Sequence, residues 1–200
     1  MNKALCIFVL SQDFKNELIR RGIKSDIHLT STKVPDYFIS GFDLSMRQGK
    51  AENIMYSGRI EKAKGVYETV DTFSILKSQY KDLTLTFVGD GSELPMLKQY
   101  VENKKIKDVR FTGELRGEDF KKEYINADMY LFLSYTEGMP TVVLEAMIFG
   151  LPIFTRKVGG LIDFFENGKM GYISSSLDPA VFAEAMKPYI ENPAKMRSVS

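Results

Sequence analysis

Residues 129–150 read MYLFLSYTEGMPTVVLEAMIFG, and the architecture of the chain can be worked out from this segment. Residues 129–133 are almost wholly apolar, as expected for a central parallel strand covered on both faces. Residues 141–149 then read as a helix. Pro140 suits the first turn of that helix, where a missing N–H costs nothing. Gly150 stands where a left-handed cap would end it, and Pro152 marks the stop.

The pattern repeats on either side. Residues 54–56 form a short apolar run ended by Gly58. Val66, Val70, Phe73 and Leu76 then recur at the spacing of one helix face. Residues 83–88 read as a strand closed by Gly89-Asp90-Gly91, and Leu94, Leu97 and Val101 line the next helix. Residues 109–111 form a strand ending at Gly113, and Phe120 and Tyr124 mark another helix. Beyond Gly150, residues 152–154 read as a strand, and residues 161–165 and 181–190 as helices. Strands alternating with helices predict an α/β fold, a Rossmann-like doubly wound parallel sheet over residues 52–175 followed by a helix. Ligands of such sheets bind at the carboxyl ends of the strands. Gly58, Gly89, Gly113 and Glu137 all lie there.

The first fifty residues are less regular. A buried strand (5–10), a helix (13–21) behind Ser11 and a strand (27–30) are expected, with residues 40–50 as a polar linker. The apolar run 4–10 behind Lys3 is at the short limit for a signal-peptide core, and no small-residue cleavage site follows it.

Composition excludes several functions. Formal net charge is +1 with both signs interspersed, so no basic stripe marks a nucleic-acid binder. Lys104, Lys105 and Lys107 read as a solvated turn. The single cysteine, Cys6, is expected to be a buried filler, and it excludes an intrachain disulfide and a cysteine metal cluster. One histidine, His28, cannot build a metal site alone. A reducing, cytoplasmic setting fits.

The candidate chemistry lies on the predicted ligand edge. The start of the 141–149 helix offers the N–H groups of Met139, Thr141 and Val142 to an anion, phosphate above all. Glu145 is the one charge in that apolar helix, which should be buried on all sides. A buried carboxylate needs partners. Two ribose hydroxyls would satisfy it, and so would a salt bridge to a core Arg or Lys. Glu137 stands at the crevice mouth, either as an ordinary acid at a helix start or facing sugar hydroxyls. Across the edge, Arg59 and Lys64 flank a tight turn after Gly58. They can neutralise a diphosphate without a metal ion, Arg59 in bidentate fashion, or they can simply pair with surface acids such as Glu61. The sequence has no Asp-x-Asp to hold a metal on a diphosphate and no Walker-type loop.

Taken in order, these residues resemble a family. Gly58-Arg59, Lys64-Gly65, Phe87-Val88-Gly89-Asp90-Gly91, Val109-Arg110-Phe111-Thr112-Gly113, Glu137-Gly138-Met139-Pro140, Leu144-Glu145-Ala146, Gly150-Leu151-Pro152 and Val158-Gly159-Gly160 look like the C-terminal domain of the retaining GT-B glycosyltransferases of family 4. Glu137 and Glu145 match the spacing of that family's donor motif. The resemblance implies one half of a two-domain GT-B fold. Residues 1–49 would be the remnant of the preceding domain's last strand and helix plus an interdomain linker, and residues 50–200 the nucleotide-sugar-binding domain.

The same resemblance implies a retaining, hexosyltransferase-type enzyme that moves a sugar from a UDP- or GDP-sugar to a glycan or lipid-linked acceptor. The donor is a substrate, and no cofactor or metal is required. Arg59, Lys64 and Glu137 would be catalytic. Gly58, Gly89, Glu114, Leu115, Gly138, Met139, Pro140, Thr141, Val142 and Glu145 would bind the donor, with the base near Glu114 and Leu115, the ribose on Glu145, and the sugar beside Glu137 and the backbone of 138–140. The acceptor would come through an N-terminal domain absent here, so these 200 residues alone are expected to be inactive or weakly active. The setting implied is cytoplasmic, at the inner face of a membrane where acceptors are lipid-linked. Asp163 and Ile162 stand where the family more often has Glu and Pro. A non-catalytic nucleotide- or partner-binding module and a nucleotide-sugar epimerase are the competing readings of the same fold.

Overall fold

The computed structural model describes residues 5–30, 32–35, 38, 40–46 and 51–197. Eight strands and seven α-helices follow one another along these residues. In chain order they are β1 (Cys6–Val9), α1 (Gln12–Arg20), β2 (Asp26–Leu29), β3 (Asn53–Ser57), α2 (Val66–Gln79), β4 (Thr84–Val88), α3 (Leu94–Asn103), β5 (Val109–Phe111), α4 (Gly117–Asn126), β6 (Met129–Phe132), α5 (Thr141–Ile148), β7 (Ile153–Arg156), β8 (Gly171–Ser174), α6 (Pro179–Glu191) and α7 (Pro193–Arg197).

The main sheet has six strands in the order β5-β4-β3-β6-β7-β8, and every pairing is parallel. The chain winds outward from β3 to β5, crosses back, and winds outward again from β6 to β8. Right-handed crossovers in opposite directions put helices on both faces. Here α2 packs against α3 and α6, while α4 and the end of α5 share a cluster in which Tyr124 and Phe149 stack at 5.4 Å and Phe38 meets both edge-on. The apolar strands predicted at 54–56, 83–88 and 129–133 form the buried centre. Met129, Tyr130, Leu131 and Phe132 are all sealed from solvent.

This strand order makes a topological switch point between β3 and β6, where loops leave in opposite directions and open a crevice. The two strands pair through Ile54 with Met129 and Met55 with Tyr130.

Residues 5–30 form a separate two-stranded parallel sheet, β1 and β2, joined by α1. Ser11 caps α1 by accepting from the Phe14 N–H at 3.2 Å, as the sequence suggests. This unit rests on the main domain, where the Gln12 N–H donates to Asp163 Oδ2 at 2.8 Å.

Several expectations need correction. The 5–10 run is buried only at Val9: Leu5 and Phe8 are exposed, and so is Cys6. Two strands and one helix supply too little surface to cover both sides of β1. Residues 161–165 are not an α-helix; residues 161–163 close a 3-10 turn over Gly159–Asp163, and Phe164 and Phe165 lie beyond it. Pro140 is the residue before α5 rather than within its first turn. Nor is α5 buried all round: Val143 and Ala146 face the core, whereas Ile148 is exposed, because α4 and the Phe38 region cover only one side. Gly150 does close α5 in the left-handed conformation, at φ 66°. Of the expected 40–50 linker, Leu44–Met46 form a 3-10 turn, and residues 47–50, with the proposed domain boundary, lie outside the described residues.

Candidate functional site

The site is built by the loops that leave β3, β4, β5 and β6. Backbone bonds bind them into one rim. The Gly58 N–H donates to Val88 O (3.0 Å), Gly89 N–H to Gly113 O (2.8 Å) and Ile60 N–H to Asp90 O (2.8 Å). Across the switch point the Tyr135 N–H donates to Ala63 O at 3.0 Å, and Ser134 Oγ reaches the same carbonyl at 3.3 Å.

A cleft of about 340 Å³ opens along this rim. Of the residues singled out in the sequence, Gly58, Arg59, Gly89, Glu114, Leu115 and Val142 line it. They come from four separate loops or helix starts. Val88, Asp90 and Phe120 complete the wall. Asp90 was visible as part of the glycine-flanked turn. Phe120 carried only a core-helix signal, since period alone does not separate a core side chain from one at a cleft wall.

Lys64 and Glu137 form a neighbouring element. Lys64 Nζ donates to Glu137 Oε1 at 2.7 Å, and the two side chains are 17% and 12% exposed. Lys64 thus pairs with an acid, as one of the two sequence readings allowed, but with Glu137 rather than a surface acid such as Glu61. Its anion partner is another predicted catalytic residue. The cause is the β3–β6 adjacency, which brings positions 73 residues apart into contact. Arg59 follows the alternative reading. Its side chain is 70% exposed and pairs with Glu61 Oε1 at 2.9 Å. An exposed pair of this kind is weak and exchanges readily.

The loop carrying Glu137 is pinned from several sides. The Gly160 N–H donates to Gly138 O at 2.8 Å. The Met139 side chain lies over Gly160, beside the Leu10 carbonyl. The Tyr135 hydroxyl donates to Glu68 of α2, and the Arg156 guanidinium of β7 lies 4.3 Å above its ring. Tyr135, Glu68 and Arg156 were not legible in the sequence, because three unrelated elements supply them. Gly65, the residue after Lys64, has φ 67°, and a Cβ there would lie 2.0 Å from Leu133 O. Only glycine lets α2 start this close to β6.

At the start of α5, Pro140 is buried and its carbonyl accepts from the Val143 N–H at 3.1 Å. The N–H groups of Met139, Thr141 and Val142 carry no protein hydrogen bond among the described residues, as is usual for the first turn of a helix. Thr141 is exposed there.

Glu145 departs from the salt-bridge reading. No Arg or Lys pairs with it among the described residues. Instead the Tyr124 hydroxyl donates to its Oε2 at 2.8 Å. Burial pushes its carboxyl above the usual range, and the Tyr124 bond pulls partly the other way. Behind Tyr124, Ser57 Oγ lies 2.8 Å from both the Tyr124 and Tyr130 hydroxyls. Burial holds both phenols well above their ordinary value.

Among the described residues, no group of three or more His, Cys, Asp and Glu is placed to hold a metal ion, and no helix is long and apolar enough to cross a membrane.

Residues 45–200 match the model of the family described as glycosyl transferases group 1. A glycogen synthase of Mycobacterium tuberculosis is 30% identical over 149 residues, which are 74% of this chain and 36% of that protein. A capsular polysaccharide biosynthesis glycosyltransferase, CapM of Staphylococcus aureus, is 30% identical over 70% of this chain and 37% of its own length. The chain thus spans little more than a third of these relatives. Among solved structures, S. aureus TarM, crystallised with UDP, superposes with a TM-score of 0.83 at 17% identity, over 99% of this chain and 39% of that one. Anabaena HepE, in complex with UDP and glucose, gives 0.79 at 19% identity, over 98% of this chain and 56% of that one. At such identities the likeness is one of fold, and the fold is that of one half of a GT-B protein.

Proposed function

Because the chain belongs to the glycosyl transferases group 1 family, we propose that its cleft is the donor half-site of a retaining glycosyltransferase that uses a nucleoside diphosphate sugar without a metal ion. The base lies by Glu114 and Leu115, the ribose at Glu145, and the diphosphate between Arg59, Lys64 and the start of α5. The sugar lies beside Glu137 and the backbone of Gly138, Met139 and Pro140.

One observation carries this reading. Six residues chosen from four separate sequence segments converge on one cleft, and that cleft lies beside the switch point of the sheet, where ligands of such folds bind. The electrostatics agree. Bond breaking at the anomeric carbon leaves charge on the departing diphosphate, and fixed cations there act on the barrier itself. Arg59 is free to swing from its exposed partner. Lys64 must leave Glu137, and that exchange frees the Glu137 carboxylate toward the sugar. TarM and HepE, whose structures contain UDP, support a nucleotide ligand for this fold. The acceptor would be met on the side of β1 and α1, through a preceding domain.

Calorimetry tests the reading directly. UDP or GDP should bind the chain with the same affinity in EDTA and in magnesium. A folded chain that binds neither at millimolar concentration, or binds only with magnesium, would overturn it. Sugar transfer or donor hydrolysis, assayed with and without a supplied preceding domain, separates an enzyme from a binding module.

A further inference from the structure

The carboxylate of Glu145 is already half occupied. Oε2 accepts from Tyr124, and Oε1 accepts no protein hydrogen bond among the described residues. The sequence-based picture of one carboxylate holding two hydroxyls with two free oxygens therefore changes.

The hydroxyls behind Tyr124 fix the direction of the protons. An ionised carboxylate can only accept, so the single Tyr124 proton goes to Glu145 at 2.8 Å rather than to the more distant Val142 carbonyl at 3.3 Å. Tyr124 must then accept from Ser57 Oγ, 2.8 Å away. Ser57, having spent its own proton, accepts from Tyr130 at 2.8 Å; the Tyr130 hydroxyl also points toward the Ser57 carbonyl at 3.1 Å. The result is a one-way chain from Tyr130 through Ser57 and Tyr124 to Glu145, and its three donors are sealed from solvent. Ser57 sits on β3, Tyr130 on β6 and Tyr124 on α4. The rigid sheet thus sets the rotamer of a side chain on α5, beside the cleft that Val142 lines.

Resting on the donor reading above, we infer that Tyr124 is a positioning residue for the nucleoside: it tethers Glu145 by Oε2 so that Oε1 alone is presented to a ribose hydroxyl. The site then selects ribonucleotides over deoxy forms through a single oriented oxygen. The titratable groups facing Glu145 are Tyr124 from α4 and Tyr130 from β6, and α5 carries no other charge. The tether also favours the ionised carboxylate against the opposing pull of burial.

The test compares wild type, Tyr124→Phe, Ser57→Ala and Glu145→Gln. Calorimetry measures whichever of UDP and GDP binds wild type, against its 2′,3′-dideoxy form. Carbon-13 NMR follows the titration of the Glu145 carboxyl in the ligand-free protein. Tyr124→Phe should reduce the preference for the ribose form on the order of tenfold, the worth of one hydrogen bond to a charged group, and leave dideoxy affinity unchanged. The Glu145 titration should move to higher pH. Ser57→Ala should move both in the same direction by less, and it serves if the phenylalanine variant fails to fold. Unchanged preference, an equal loss for both nucleotides, or an unmoved titration would overturn the positioning role. A wild-type protein that does not discriminate the two nucleotides overturns the ribose assignment of Glu145 itself.

Discussion

The Lys64–Glu137 pair offers a quantitative check on the ligand-free site. At 2.7 Å and an effective dielectric of about 20, the gross attraction is about 6 kcal/mol. Desolvation takes back most of it, because the side chains are only 17% and 12% exposed. Removing one partner of a fully buried pair costs about 3–5 kcal/mol, and exposed pairs are worth roughly 0–1. The expected coupling is intermediate and nearer the buried case, about 2 kcal/mol. It is read from a double-mutant cycle of Lys64→Met, Glu137→Gln and the double variant. Urea unfolding followed by circular dichroism suits a chain with no tryptophan. Each single variant should melt roughly 4–8 °C lower, and the double variant should lose less than the sum. A coupling below about 0.5 kcal/mol would refute the reasoning, because Lys64 would then be a loosely held surface cation needing no exchange on donor binding.

Three further outcomes follow. Gly65→Ala places a Cβ 2.0 Å from Leu133 O at φ 67°, so thermal melts should show a loss of about 2–4 kcal/mol; a melting temperature within about 2 °C of wild type would show that the backbone yields freely. Arg59→Ala should weaken nucleoside diphosphate binding about tenfold and leave the melting temperature unchanged, since the side chain is largely exposed; a variant that melts lower but binds normally reverses the assignment. Glu145→Gln should stabilise the ligand-free protein at neutral pH. The folded carboxyl is raised above its ordinary value of 4.5, so its contribution to stability is fully present below that value and is lost as pH rises through the folded pKa. The gain from glutamine should appear across that rise and vanish below pH 4.5, and a melting series in which glutamine destabilises at pH 7 would contradict it.

The parallel sheet was legible because apolar periodicity is a local property. The runs at 54–56, 83–88, 109–111 and 129–133 gave β3, β4, β5 and β6, and glycines at their ends marked the ligand edge. Pro152 and Gly150 located the end of α5. Burial was harder to read. The run at 5–10 has the composition of a core strand, yet exposure depends on how many elements surround it, and composition does not count neighbours.

What the sequence by itself determined is the class of fold, the strand ends at which ligands of such sheets bind, and the residue types gathered there. Which of those residues touch was decided only by tertiary structure. The adjacency of β3 and β6 arises from the crossover between β5 and β6, and it joins Lys64 to Glu137 across 73 positions. The packing of α4 beside α5 on one face gives Glu145 a tyrosine rather than a cation. The physical reason is one of range. Backbone preference and hydrophobic period act over a few residues, whereas partners for buried charges are assigned by strand order and helix packing, which exist only once the chain has closed on itself.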